Sequence, residues 1–184
     1  MFSNFLKLGN TLKIEQKIIL DSTKQFCNSY LLPRVKNDYK NENVDPTIFQ
    51  EMGKVGLFGI TNEYGINESY LTYGLLAKEI ESVDSGYRSM FSVQNSLVIN
   101  PIHKFGSDYL KQKYLPELVS GNLIGCFGLT EPDHGSDAGN LRSFAVEKDN
   151  GYFLNGSKMW ISNAPIADVF VIWAKINNVL KGFI

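Results

Sequence analysis

The chain has 184 residues and a formal net charge of -1, with 43% hydrophobic and 20% charged residues. That balance fits a folded globular protein rather than a disordered one, and it gives no general basic field for nucleic acid or anionic lipid. Cys27 and Cys126 lie far apart, without metal-ligand or redox-pair spacing, so a reduced intracellular compartment is expected.

No apolar run approaches the roughly 20 residues that span a bilayer. Residues 1–10 carry one lysine and no arginine, unlike a secretory signal or a mitochondrial presequence. A cytoplasmic location is expected, or the mitochondrial matrix in a eukaryote.

The first two-thirds reads as helices. Ile14, Ile18, Ile19, Phe26, Cys27, Tyr30 and Leu31 recur at helical intervals up to Pro33. Asp45-Pro46 starts a second helix through Ile48, Phe49, Met52 and Val55, which stops at Gly56. A turn-rich loop around Gly65 follows, and Ser69 caps a helix expected to finish near Gly86. Another helical stretch leads from Tyr87 towards Phe105, with a bend or break at Asn100-Pro101. Ser107 opens a further helix that Gly121 closes.

Near Leu123 the period changes. Residues 123–130 form a short apolar run between turn residues, the pattern of a buried strand. Residues 142–146 alternate, residues 149–151 signal a hairpin turn, and residues 152–154 return. Asn155-Gly156 leads to a segment over 159–162 taken as the next strand, and residues 168–174 form a last β-rich run. The expected fold is α+β: an all-α helical domain over 1–122, then the start of an antiparallel β domain over 123–184. Strands with one visible pairing leave open edges, so the end at Ile184 reads as an unfinished β domain.

Residues 126–136, CFGLTEPDHGS, carry the first chemical candidate. Glycines allow close backbone approach, and the hydroxyls of Thr130 and Ser136 can meet a ligand's polar atoms. On their own these residues read first as an ordinary polar strand exit, and the glycine spacing fits no Walker or dinucleotide fingerprint. Trp160 alone reads as core, Arg88 as a solvated or ion-paired helix residue. His103 and His134 have no partners at metal-ligand spacing, so no metal is expected. Glu131 and Asp137 read as turn-holding residues.

CFGLTEPDHGS and NGSKMWISN (155–163) resemble the two signatures of the acyl-CoA dehydrogenase family. YGLLAKEIESVDSGYRS (73–89) and SVQNSL (92–97) resemble its glutaryl-CoA dehydrogenase subgroup, and KYLPELVSG (113–121) fits as well. The likeness runs from about Leu12 onward and implies FAD as cofactor. It implies that Phe127, Gly128, Leu129 and Thr130 lie along the isoalloxazine ring, with Gly135 and Ser136 towards the ribityl-pyrophosphate. Trp160 would cover the flavin, and Ile161 and Ser162 would touch it from the next strand. Arg88, Ser89 and Ser136 would contact substrate, Arg88 holding the distal carboxylate of glutaryl-CoA.

The reaction implied is α,β-dehydrogenation of an acyl-CoA, followed in the subgroup by decarboxylation to crotonyl-CoA in lysine and tryptophan degradation. An electron-transfer flavoprotein as acceptor and a homotetramer are implied too. The family's catalytic glutamate is expected beyond residue 184, so this chain alone is expected to be inactive. Alternatives are a short- or medium-chain acyl-CoA dehydrogenase or oxidase of the same fold, or a non-catalytic assembly partner.

Overall fold

A computed structural model describes residues 12–42, 44–149 and 151–184. The expectation drawn from residues 1–10 lies outside these, as does Asn150 of the expected hairpin turn. The chain divides into two compact units. One holds residues up to Phe91 together with Val119–Gly121; the other holds Ser92–Leu118 and Asn122–Ile184.

In the first unit, helix α1 (Ile14–Phe26) runs into a π-helical turn, Cys27–Leu31. Helices α2 (Val35–Asn41), α3 (Thr47–Lys54) and α4 (Tyr70–Glu81) follow, then α5 (Ser85–Ser92), whose last residue belongs to the second unit. Asp45 Oδ1 accepts from the Thr47 amide at 2.9 Å and so starts α3. Ser69 caps α4 by accepting from the Thr72 amide. Helix α4 ends at Glu81 rather than near Gly86. Asp84 is the reason, because its Oδ1 accepts from the amides of Gly86 and Tyr87 and nucleates α5. Fully buried Ile48, Phe49, Met52, Phe58, Leu76 and Ile80 form the core.

The second unit begins with a π-helical segment, Val93–Ile99, then α6 (Asn100–Phe105) and α7 (Asp108–Ser120), whose last residues join the first unit. The chain does not break at Asn100-Pro101. Asn100 donates to Asn95 O in the wide π register, and Pro101 falls in the first turn of α6, where its missing N–H is tolerated. Five strands follow: β1 (Gly125–Gly128), β2 (Phe144–Lys148), β3 (Gly151–Asn155), β4 (Val169–Ile176) and β5 (Val179–Phe183).

The sheet is mixed rather than antiparallel throughout. β1 pairs in parallel with β4, Gly125 opposite Val169, whereas β2–β3 and β4–β5 are antiparallel hairpins. The reason is topological: the β2–β3 hairpin intervenes, so the chain returns to β1 in the same direction. Asn177 and Asn178, both at positive φ, make the tight β4–β5 turn. Residues 159–162 form no strand, a further departure from expectation. No helix of the described residues is long and apolar enough to cross a membrane.

Candidate functional site: a cleft between two loops

A cleft of about 260 Å³ opens in the second unit. Phe127, Leu129 and Thr130 line it from the end of β1, Trp160, Ile161 and Ser162 from the 157–163 loop, and Val93 and Leu97 from the π-helical segment. Six of the nine residues expected to contact a cofactor therefore share one cavity. Gly128 backs it instead: a Cβ there would stand 2.6 Å from Ile172 Cδ1 and 3.4 Å from Lys158 Cγ. Gly135 and Ser136 do not line it and sit on an exposed loop.

The π-helical segment is tied to β1 by a residue that periodicity passes over. Gln94, 0% exposed, donates to Leu118 O at 2.9 Å and Leu123 O at 2.8 Å, and accepts from the Gly125 amide at 2.8 Å. Gly125 also presses on Val98, where a Cβ would meet Cγ1 at 2.4 Å. A glycine is therefore required for the helix–strand approach. Phe127 meets Trp173 edge-on at 6.2 Å, and the buried Trp173 Nε1 has no hydrogen-bond partner among the described residues.

The two loops are bonded residue by residue. Lys158 Nζ donates to Leu129 O at 3.0 Å and to Glu131 Oε1 at 2.9 Å, and between them the Met159 amide donates to Thr130 O at 3.0 Å. Beyond the aromatic residue, Asn163 Nδ2 reaches Gly125 O at 3.0 Å. Glu131 also accepts from the amides of Arg142 and Ser143, at 2.6 and 2.8 Å. Burial opposes its ionisation, but hydrogen bonds from Ser143, Arg142 and Lys158 outweigh that and hold the carboxyl at about 2. Glu131 is thus a structural hub. His134 sits against it, bridged backbone to backbone, with Nδ1 3.8 Å from Glu131 Oε2.

Trp160 is no core residue: 85% of it is exposed. Its φ of +60° is a left-handed conformation costly for a bulky side chain. Burial stabilises neither the indole nor its backbone, so the bonds on both sides hold them.

Arg88 and Ser89 lie in the first unit, on α5. Arg88 Nε donates to Glu81 Oε2 at 2.5 Å across an open groove of about 550 Å³ that Gly74, Ala77, Lys78 and Ser82 also line. Among the described residues no cluster of His, Cys, Asp and Glu has the geometry for a metal ion.

Comparison with known proteins places the chain. Residues 13–122 match the acyl-CoA dehydrogenase N-terminal domain, and residues 126–183 match the middle domain of the same family. An acyl-CoA dehydrogenase of Bacillus subtilis is 36% identical, over 87% of this chain and 43% of its own length. The mitochondrial isovaleryl-CoA dehydrogenase of Pongo abelii is 33% identical, over 90% of this chain and 40% of its own. The crystal structure of a glutaryl-CoA dehydrogenase from Mycobacterium smegmatis in complex with FADH2 superposes with a TM-score of 0.93, at 36% identity, over 97% of this chain and 47% of that one. The chain thus spans less than half the length of each relative. Both domain models match in order, and on that basis the chain belongs to the acyl-CoA dehydrogenase family.

Proposed function

We propose that this chain forms the flavin-facing part of an FAD-dependent acyl-CoA dehydrogenase acting on glutaryl-CoA. The observation that carries the flavin reading is Trp160, a large apolar side chain held out of the core beside an apolar cleft. The cleft fits a planar ring system with one polar edge. Phe127, Leu129, Ile161 and Val93 supply apolar walls, and Thr130 and Ser162 supply hydroxyls for ring heteroatoms. Bound FAD would supply the two-electron acceptor for the substrate's β hydrogen. No carboxylate lines the cleft, so the group that removes the α proton comes from outside it. Gly135 and Ser136 would reach the cofactor's phosphates or the acyl-CoA from their exposed loop.

Arg88 supports the substrate class. A guanidinium in an open groove, already bonding one carboxylate, suits the distal carboxylate of a glutaryl group. A second reading is a neutral acyl-CoA such as isovaleryl-CoA, favoured by the same pair, since Glu81 already occupies the Arg88 Nε. An electron-transfer flavoprotein as acceptor and a homotetramer complete the proposal.

Titrating the chain into FAD tests the flavin reading. Saturable quenching of flavin fluorescence is expected, weakened at least fivefold by Trp160→Ala. No saturable quenching, or an unchanged curve for the variant, overturns it.

A further inference from the structure

Lys158 and Glu131 stand behind the cleft, and neither lines it on the side where a ring would lie. Their side chains are 11% and 5% exposed, so the pair is shielded from solvent. The ammonium has two acceptors, Leu129 O and Glu131 Oε1, on either side of Thr130. Its aliphatic stem packs beside Gly128, with Cγ 3.4 Å from where a Cβ would stand. One lysine thereby holds the Leu129 backbone on one side of Thr130 and the Glu131 side chain on the other, and the Met159 amide bonds Thr130 itself.

The following residue is Trp160, at a φ of +60° and 85% exposed. A left-handed tryptophan without burial relaxes unless its neighbours over-determine it. On its amino-terminal side the restraints are the Met159 amide bond and the Lys158 side chain; on its carboxy-terminal side, Asn163. The Lys158 bond depends on charge. A buried ammonium without a counter-ion carries a large desolvation penalty, and Glu131 removes it while clamping the start of the β2 strand.

We infer that the buried Lys158–Glu131 pair is a positioning device that sets the spacing between the Thr130 edge and the Trp160 cover of the cleft. It acts through the two loops and touches no reacting atom. The inference rests on the flavin reading for its purpose, but its mechanical content concerns Trp160 alone.

The test uses the full chain in a Trp173→Phe background, so that Trp160 is the single tryptophan. Lys158→Met, Lys158→Arg and Glu131→Gln are compared by far-ultraviolet circular dichroism, Trp160 fluorescence anisotropy and FAD titration. Lys158→Met is expected to keep the circular dichroism spectrum, lower the anisotropy of Trp160 and weaken FAD binding about tenfold. Lys158→Arg, which keeps the charge, is expected to restore most of both. Glu131→Gln is expected to lie between. Unchanged anisotropy in Lys158→Met overturns the inference, and so does loss of its circular dichroism signal, which would make the lysine a general folding residue. Absence of FAD binding by the parent chain overturns the flavin reading and leaves the anisotropy comparison to decide this one.

Discussion

Gln94 and Gly125 are joined by a buried hydrogen bond of 2.8 Å, and the same glutamine side chain holds two carbonyls, those of Leu118 and Leu123. Gln94→Leu keeps the volume and removes all three bonds, leaving a buried amide and two carbonyls unpaired. The expected loss is about 2–4 kcal/mol of stability. A urea midpoint equal to that of the parent chain would show that water replaces the glutamine.

Glu131 makes the fold acid-sensitive within a defined window. Its carboxyl lies at about 2 in the folded chain against 4.5 unfolded, so it stabilises the fold fully above pH 4.5. That stabilisation fades as pH falls from 4.5 towards 2, by up to about 3 kcal/mol. Glu131→Gln starts less stable and loses less over that interval. Denaturation midpoints at pH 6, 4.5 and 3 check the sign; parallel falls for both proteins would refute it.

The cysteines should be inert in the native state. Both are buried and free. Burial pushes the Cys126 thiol up to about 11, and burial with the nearby Glu79 carboxylate does the same to Cys27. At pH 8, Ellman's reagent is expected to label neither within minutes in buffer and both at once in 8 M urea. Fast labelling of Cys126 in buffer would mean that β1 opens readily.

Arg88→Ala separates the two substrate readings. In the protein containing this chain, the substitution is expected to weaken glutaryl-CoA binding tenfold or more and butyryl-CoA less than twofold, as measured by calorimetry. One charge-assisted hydrogen bond is worth about 1.5–3 kcal/mol, enough for that difference. Equal losses would remove the basis for a dicarboxylic substrate.

The sequence made the helices and the caps at Asp45 and Ser69 readable, because those signals are local. The end of α4 is not legible in the same way, because Asp84 acts through side-chain bonds that hydrophobic periodicity does not register. The parallel pairing of β1 with β4 was out of reach, since strand direction depends on what intervenes and not on the strands themselves. That residues 127, 129, 130 and 160–162 share one cleft follows the grouping family likeness implies, whereas their own chemistry suggests a polar strand exit and a core tryptophan. The roles of Gln94, Lys158 and Asn163 stayed hidden for one reason: each is a polar residue whose partners lie 24 to 38 residues away.

The parallel ladder also sets an order of events during synthesis. The Ile124 amide, just before β1, bonds an Asp168 carboxylate 44 residues later. At a translation rate of about 5–20 residues per second, β1 leaves the ribosome roughly 2–9 s before its partner strand. Through that interval the strand that carries Phe127 has only Gln94 and the helix before it for company. The helical layer of this unit is therefore a waiting template for the sheet, and a chain that lost it would expose β1 to any passing edge.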